Sequence, residues 1–397
     1  MSDKTHRIIE AVAASVDIPE TAYDKAEARY KDLAAWFGRT EAECYPYDPH
    51  IYPQGSFRLG TVVAGEEYDL DFGCRLRKGI SEATHTQKQL KELVGADMEA
   101  YRRARRIESA LKEKHRCWRL QYQEDSGFRF HMDGVPSIPV DDPRRQLITK
   151  AMVDFGSAEV LAQNVAKHAG SITDNTLPNY EHISLEWLIS NSEGYALWFE
   201  SRMKLAMGLL EKRAFEAKAA KVDDLPARKW KSPLQKCVQA LKCHRDVMFA
   251  DNPDGKPISI IITTLAASAY RGEQDVGSAM QNILATMATF VNKQKPRVPN
   301  PVNPTEDFAD KWYAAEYAAL HLEQNFYWWL QQAQEDFTKI GQSRDADFIA
   351  EHVREKFASS IDTSNLRDKL GLGAAKIVTA PKRHTILETP AKPWMRI

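Results

Sequence analysis

Residues 68–76 read YDLDFGCRL, and apolar and polar residues alternate strictly along this stretch. Successive side chains of a β-strand point to opposite faces, so the alternation predicts a strand. One face of this strand is apolar and consists of Tyr68, Leu70, Phe72, Cys74 and Leu76. The other face carries two carboxylates two positions apart, Asp69 and Asp71.

The same alternation returns in residues 117–133, on both sides of the turn-forming residues 125–127. We therefore expect a β-hairpin with one apolar side, whose second strand ends at a third carboxylate, Asp133. Between the two strand regions, residues 87–115 are rich in Lys, Arg, Glu, Ala and Leu and predict a helix. Ahead of both, apolar residues at three- and four-residue spacing predict an amphipathic helix over residues 21–37.

Helical patterns dominate the chain after about residue 191. We expect helices over residues 195–218, 233–249, 259–270, 276–292, 308–340 and 346–358. The proline-rich segment 295–304 predicts extended backbone, because proline breaks helices. The predicted fold class is α+β and bilobal, with a mixed sheet and its helices followed by a C-terminal α-helical domain. We divide the chain into a core over residues 1–190, a helical domain over 191–370 and an extended C-terminal tail over 371–397.

The composition is that of an ordinary globular chain of two or three folding units, with 397 residues, 43% hydrophobic and 27% charged. The 54 basic and 55 acidic residues nearly cancel, which disfavours a long nucleic acid as a partner. The five cysteines lack the paired spacing of a zinc site or a disulfide framework. Because we find neither a signal peptide nor an apolar stretch of membrane-spanning length, we expect a cytoplasmic protein that does not bind membranes.

Three features together point to phosphoryl chemistry. They are Gly55 with Ser56, Asp69 with Asp71, and Asp133. Strand residues two positions apart lie roughly 6.6 Å apart on one face, so the paired carboxylates can converge on metal ions between them. Mg²⁺ prefers carboxylate and phosphate oxygens, and two such ions are the usual clamp for in-line phosphoryl displacement. Gly55 permits close approach of the backbone to a triphosphate, and the Ser56 hydroxyl with backbone N–H groups can cradle its oxygens.

Each feature has an ordinary structural explanation when it stands alone. A Gly-Ser pair is most often a turn, and an Asp-x-Asp pair on an edge strand commonly keeps that strand from aggregating. Asp133 could cap a turn before Pro136. Their coincidence on predicted strands, with twelve residues between Ser56 and Asp69, favours a nucleoside-triphosphate site with bound metal.

These residues resemble a known family. Residues 52–61 (YPQGSFRLGT), 68–73 (YDLDFG) and 130–136 (FHMDGVP) are similar to the bacterial CD-NTases, the cGAS/DncV-like nucleotidyltransferases. Similar segments follow in the family's order at residues 184–191, 194–199, 233–246, 256–260, 300–303 and 310–312, so the resemblance covers nearly the whole chain. One position departs from the pattern: Gly134 stands where we expect a β-branched residue after the third aspartate.

The resemblance implies a polymerase-β-like nucleotidyltransferase core and an enzyme of CBASS anti-phage defence. Such an enzyme joins nucleoside triphosphates, ATP and possibly others, into a cyclic di- or trinucleotide that activates a separate effector protein. Asp69, Asp71 and Asp133 match the family's metal-binding carboxylates, which hold two Mg²⁺ ions for which Mn²⁺ can substitute. Gln54, Gly55 and Ser56 match its triphosphate loop.

Two further nucleotide-binding residues follow from the resemblance alone, together with one partner. Lys242 falls where the family places a nucleotide-contacting lysine on the helical lobe, and Ser259 where it places a hydroxyl at a helix start. The alternative for Lys242 is a lysine that reaches past the core to solvent. Some relatives have a C-terminus that an E1/E2-like accessory enzyme joins to targets, and residues 392–397 resemble such an arm, although a disordered end is the simpler interpretation.

Two other functions stay open. A linear oligonucleotide synthase or terminal nucleotidyltransferase would use the same carboxylates, and ring closure follows from the resemblance rather than from residue spacing. A catalytically silent nucleotide-binding scaffold would keep the fold without the chemistry. The presence of Asp69, Asp71 and Asp133 disfavours the scaffold.

Overall fold

The computed structural model describes residues 3–65, 67–124, 127–204, 231–343 and 345–357. The helices in these ranges are α1 (Asp3–Ser15), α2 (Glu20–Phe37), α3 (Gly55–Leu59), α4 (Gln87–Ala104), α5 (Asp142–Asp154), α6 (Glu159–Ala166), α7 (Ser192–Lys204), α8 (Pro233–Met248), α9 (Ser259–Ala269), α10 (Val276–Thr286), α11 (Leu322–Gln342) and α12 (Ala346–Lys356). The strands are β1 (Pro49–Pro53), β2 (Glu67–Leu76), β3 (Lys112–Glu113), β4 (Trp118–Gln121), β5 (Arg129–Pro139), β6 (Gly170–Ile172), β7 (Leu188–Ser190), β8 (Pro299–Asn300) and β9 (Asn303–Asp307).

The first seven strands form one mixed sheet in which β2 and β5 lie side by side and parallel. The strand order is β1-β2-β5-β4-β3, and β6 pairs with both β5 and β7. The pairs other than β2–β5 are antiparallel. A parallel pair requires a crossover, and the chain makes it through α4 and the β3–β4 pair. The mixed sheet and the helical C-terminal region confirm the predicted α+β class.

Residues 68–76 lie in a strand, β2, with one buried apolar face, as their alternation predicted. Tyr68, Leu70 and Phe72 on the apolar face of β2 are buried in a core that also contains the apolar residues of α2 and α4. The periodic positions of the predicted first helix are buried there too, from Ala22 to Phe37. The opposite face of β2 is left for Asp69, which is exposed, and for Asp71, which is half-buried.

Packing explains why a glycine rather than a β-branched residue stands at position 134. It pairs in register with Phe72 across the parallel strands, and a Cβ at this position would lie 2.5 Å from Cζ of the Phe72 ring. A β-branched residue would therefore displace a fully buried aromatic ring from the core. The departure from the family pattern preserves β5 rather than weakening it.

A second core lies among the helices of the later part of the chain. It contains buried apolar residues of α8, α9, α10 and α11. Helix α1, from the beginning of the chain, contributes Ile8, Ile9 and Val12 to the same cluster. Its long-range packing against α8 and α10 is not visible in the sequence, and the division of the chain at residue 190 stays a prediction.

The helix predicted over residues 87–115 is too long. Helix α4 begins after Thr86, whose side chain and that of Gln89 form a reciprocal cap, and it ends at Ala104. Arg106 has a φ of 54°, a left-handed conformation that a right-handed helix does not contain. Residues 112–113 instead form the edge strand β3. Neither glycine nor proline marks this stop in residues 104–111, so composition could not reveal it.

Two helices of the second half also differ from their predicted extent. Helix α11 begins at Leu322, because residues 310–312 and 315–320 form 3₁₀ turns and His321 has a φ of 51°. Helix α10 ends at Thr286 and a 3₁₀ turn follows it over Met287–Phe290. The segment predicted to be extended, 295–304, is only partly so: it bends over residues 295–298, and β8 and β9 pair across a turn at residues 301–302.

The remaining sequence predictions fall partly outside the described residues. The predicted hairpin is present as β4 and β5, but residues 125 and 126 of its turn are not described. The same holds for the end of the helix predicted over 195–218 and for the tail 371–397. None of the helices in the described ranges combines the length and the apolar character that a membrane crossing needs.

Candidate active site

The three predicted metal-binding carboxylates lie on one face of the β2–β5 pair. Asp69 and Asp71 are two positions apart on β2, and Asp133 on β5 stands in register with Asp71. His131, on the same face of β5, stands opposite Asp69. The alternation in each strand predicted which way these side chains point, and the parallel register brings the third carboxylate beside the first two.

Asp71 is the member of this group whose pKa is raised. Burial raises the pKa of its carboxyl to about 7, and the nearby charges of Asp133 and Asp69 act in the same direction. The guanidinium of Arg119 opposes them. Three carboxylates on adjacent strand positions repel one another, so the site favours a positive charge among them.

Arg119 supplies such a charge, although it was not among the predicted site residues. It stands on β4 in register with Asp133. Its Nε and Nη2 donate to the two carboxylate oxygens of Asp133 at 2.8 and 2.7 Å, and Nη2 also lies 3.8 Å from Oδ1 of Asp69. The pKa of Arg119 is raised above its ordinary value, chiefly by the hydrogen bonds to Asp133. The signal that could have found it is its place on the predicted hairpin, on the same side as Asp133.

His131 is a second neighbour that the sequence analysis missed. Its Nδ1 lies 3.3 Å from Oδ1 of Asp69, and its Nε2 lies 3.0 Å from a carboxylate oxygen of Glu67. The imidazole therefore bridges two acidic residues of β2 from the adjacent strand. Its position two residues before Asp133 places it on the same face of β5.

The predicted triphosphate loop packs directly against Asp71. The N–H of Gln54 donates to the carbonyl oxygen of Asp71 at 2.7 Å. Gly55 then begins α3 with a φ of +60°, and a Cβ there would lie 2.3 Å from Oδ2 of Asp71. Only glycine combines this backbone conformation with this close approach. Ser56 follows Gly55 in the first turn of α3.

The segment after α3 is held by helix α8. Four consecutive backbone carbonyls, from Leu59 to Val62, each accept a hydrogen bond from a side chain on α8 or just before it. The four contacts are Gln235 Nε2 to Leu59 at 2.8 Å, Lys231 Nζ to Gly60 at 3.0 Å, Lys242 Nζ to Thr61 at 2.9 Å and Gln239 Nε2 to Val62 at 2.5 Å. We call this set the carbonyl clamp. It joins the Gly-Ser helix to the helical part of the molecule.

Lys242 and Ser259, the two nucleotide-binding residues that follow from the resemblance alone, have different surroundings. Lys242 is buried, and its burial lowers the pKa of the ammonium group to about 8, with the charge of Arg245 acting in the same direction. Its described hydrogen bond is the one to Thr61 in the carbonyl clamp. Ser259 begins α9, and its hydroxyl accepts a hydrogen bond from Nη1 of Arg245 at 3.1 Å. Arg245 is itself buried and also donates to the carbonyl of Pro257, so it holds the start of α9.

The carboxylate set fits a divalent cation of the magnesium class. Carboxylate oxygens are the ligands that Mg²⁺ prefers, and a bound cation would offset the burial of Asp71 and the charges of Asp133 and Asp69, which together raise the pKa of Asp71. In the described part of the chain, no group of three or more His, Cys, Asp or Glu side chains is arranged to hold an ion. In this arrangement both oxygens of Asp133 accept hydrogen bonds from Arg119.

The chain is similar to known proteins. Residues 49–136, which span β1 to β5, match the family model described as "Cyclic GMP-AMP synthase DncV-like, nucleotidyltransferase domain". A c-di-GMP synthase of Roseivirga ehrenbergii is 29% identical over 318 residues, covering 76% of this chain and 71% of that protein. The cyclic dinucleotide synthase CdnG of Bradyrhizobium diazoefficiens is 23% identical over 331 residues, covering 78% and 71%.

Solved structures share the fold. The structure of the Bradyrhizobium diazoefficiens CD-NTase CdnG in complex with GTP superimposes with a TM-score of 0.63 at 20% identity. The match covers 93% of this chain and 100% of that one. The similarity therefore extends over both the sheet and the helical region.

Proposed function

We propose that this chain, whose residues 49–136 match the DncV-like nucleotidyltransferase domain, joins two nucleoside triphosphates into a cyclic dinucleotide. The observation that carries the proposal is the position of Gly55 against Asp71, with Asp69 and Asp133 on the same sheet face. A loop suited to a triphosphate and a set of carboxylates suited to divalent metal thus meet at one place. The curated relatives are both cyclic dinucleotide synthases, which supports two nucleotides per ring.

The chemistry is a nucleotidyl transfer carried out twice. A ribose hydroxyl attacks the α-phosphorus of a triphosphate, the bond from that phosphorus to the bridging oxygen breaks, and pyrophosphate leaves with the bond's electron pair. The hydroxyl proton passes to Asp133 or to water as the new phosphodiester forms. When the linear product stays bound, its own hydroxyl attacks the second α-phosphorus, and the high effective concentration within one cleft favours this closure.

The residues divide into two groups by role. Asp69, Asp71 and Asp133 would hold two Mg²⁺ ions, for which Mn²⁺ can substitute. Bound there, the metal would offset charge on the phosphates and on the attacking oxygen. Gln54, Gly55 and Ser56 would hold the triphosphate by backbone N–H groups and the serine hydroxyl.

For Lys242 and Ser259 we propose a supporting part in nucleotide binding. Lys242 holds the Thr61 carbonyl and so fixes the segment that follows the triphosphate loop. Ser259 and Arg245 together fix the start of α9. The ammonium has three N–H donors, so a direct contact between Lys242 and a phosphate would not require it to leave Thr61.

Two of the similar proteins are associated with guanine nucleotides by name or by bound ligand. The Roseivirga protein is named for c-di-GMP, and the Bradyrhizobium enzyme was solved with GTP. We therefore propose GTP as one substrate, with ATP as the second candidate. The product would activate a separate effector protein in CBASS antiviral defence in the cytoplasm, and an E1/E2-like accessory enzyme acting on the C-terminus is a further proposed partner.

The test is an incubation of the purified protein with Mg²⁺ and all four labelled nucleoside triphosphates, followed by phosphatase treatment and mass spectrometry. A phosphatase-resistant species would support the cyclic product, and its mass would give the ring size and the bases. Phosphatase-sensitive ladders would instead support a linear transferase. The double variant Asp69→Asn/Asp71→Asn serves as the control and should form no product. A wild type without product under these conditions would favour the silent scaffold.

A further inference from the structure

The Arg119–Asp133 pair is unusual for the place that it occupies. Arg119 approaches Asp133 from the neighbouring antiparallel strand, and the two hydrogen bonds of 2.8 and 2.7 Å form a bidentate pair. The Asp133 side chain is only 14% exposed, whereas that of Asp69 is 60% exposed. The guanidinium therefore stands at the shielded side of the three carboxylates.

Arg119 also offsets charge beyond its immediate partner. Its Nη2 lies 3.8 Å from Asp69, and it opposes the rise in the pKa of Asp71. One fixed positive charge thus faces all three acidic residues. A bidentate guanidinium–carboxylate pair is the strongest form of this contact, and it is geometrically selective.

Building on the metal site proposed above, we propose that Arg119 is an internal counter-cation that competes with divalent metal for Asp133. In the described arrangement Arg119 takes both oxygens of Asp133 and keeps the carboxylate set from closing around an ion. Metal binding then requires the Arg119 side chain to move away from Asp133. The protein consequently binds free metal weakly when no nucleotide is present.

The proposed competition predicts the direction in which the Mn²⁺ affinity changes when Arg119 is replaced. Removing the charge of Arg119 removes both the hydrogen bonds and the repulsion between the guanidinium and an incoming cation. We expect the Arg119→Met variant to bind Mn²⁺ about tenfold more tightly than the wild type, because a unit charge about 5 Å from a divalent ion weakens its binding by at least that factor. If Arg119 instead positioned Asp133 for the metal, the same variant would bind Mn²⁺ more weakly.

The experiment is a titration of the full-length protein with Mn²⁺ without nucleotide, in which electron paramagnetic resonance measures the free ion. Arg119→Lys keeps the positive charge and should remain close to the wild type. Arg105→Met is the matched control, since Arg105 forms a bidentate pair with Asp32 at 2.7 and 2.6 Å away from the carboxylates. It should leave the Mn²⁺ affinity unchanged. Arg119→Gln, which also lacks the charge, replaces Arg119→Met if circular dichroism shows that the methionine variant is unfolded.

The outcomes separate this proposal from the proposed function. Tighter Mn²⁺ binding in a folded Arg119→Met protein, abolished by adding Asp71→Asn, supports the counter-cation. Equal or weaker binding in Arg119→Met and Arg119→Gln, with binding by the wild type still dependent on Asp71, overturns the counter-cation and leaves the metal site standing. Binding that does not depend on Asp71 in any of these proteins overturns both.

Discussion

The side-chain nitrogen of Lys242 lies 2.9 Å from the carbonyl oxygen of Thr61, a residue 181 positions earlier in the chain. This contact and the three beside it in the carbonyl clamp connect helix α8 to the backbone just after the Gly-Ser helix. Buried backbone carbonyls need hydrogen-bond donors, and here they obtain them from another part of the fold. The position of the triphosphate loop therefore depends on the helical region as well as on the sheet.

Lys242 should make the stability of the protein depend on pH in the alkaline range. Its pKa is about 8 in the folded protein and 10.5 in its ordinary state, so between these values the unfolded chain binds more protons. The free energy of unfolding should therefore rise with pH in this window, by about 2 kcal/mol between pH 7 and pH 10. Urea unfolding of the wild type and of Lys242→Met at both pH values measures it. A difference between the two proteins that does not change with pH would contradict the prediction.

Asp71 should make the free energy of unfolding decrease as the pH rises through the acidic and neutral range. Its pKa is about 7 in the folded protein against 3.8 ordinarily, so the folded protein binds more protons between these values. The free energy of unfolding in EDTA should fall by about 3 kcal/mol from pH 5 to pH 8 through this group. The Asp71→Asn variant should lack this part of the fall and be more stable than the wild type at pH 8. Parallel pH profiles for the two proteins would disprove the assignment.

Gly55→Ala should remove nucleotidyl transfer and destabilise the protein. The new Cβ would lie 2.3 Å from Oδ2 of Asp71, and the φ of +60° disfavours alanine by about 1–2 kcal/mol on its own. Gly156→Ala is the matched control, because Gly156 also has a positive φ, of +97°, but a Cβ there meets nothing within 4 Å. It should cost a comparable strain energy and keep full activity. Thermal melts and product formation measured on both variants check this, and an active Gly55→Ala protein would refute the close approach.

Glu193 should be a strong contributor to stability. Glu193 lies in the first turn of α7. Its carboxylate oxygens lie 2.5 Å from Nη1 of Arg75, 3.3 Å from Nε2 of His50 and 3.2 Å from Nδ1 of His168. Glu193→Ala would leave the charge of Arg75 buried without this partner, at a cost of about 3–5 kcal/mol.

The control for Glu193 is an exposed ion pair. Glu181 pairs with Lys88 at 2.9 Å, and the two side chains are 62% and 44% exposed. Glu181→Ala should cost far less stability than Glu193→Ala, since solvent screens such pairs. Denaturant unfolding at pH 7 compares the two variants, and equal losses would show that burial does not strengthen the Glu193 contacts.

Local pattern was sufficient for the elements that carry the chemistry. Strict alternation predicted β2 and the face on which Asp69 and Asp71 lie, because side chains in a strand repeat every two residues. The three- and four-residue spacing predicted α2 within one residue of its start. Prediction failed where the backbone changes conformation without glycine or proline, as at Arg106 and His321. Positive φ at such residues is imposed by packing and leaves no mark in composition.

The sequence by itself therefore determined the strand faces, the Gly-Ser pair ahead of them and the presence of three carboxylates, since these follow from neighbouring residues. Only the tertiary structure decided that β5 lies parallel to β2 with Asp133 beside Asp71, that Arg119 pairs with Asp133, and that Lys242 holds Thr61. Those contacts join residues that are distant along the chain. Strand register and helix packing bring them together, and both are set by burial of the two cores as a whole.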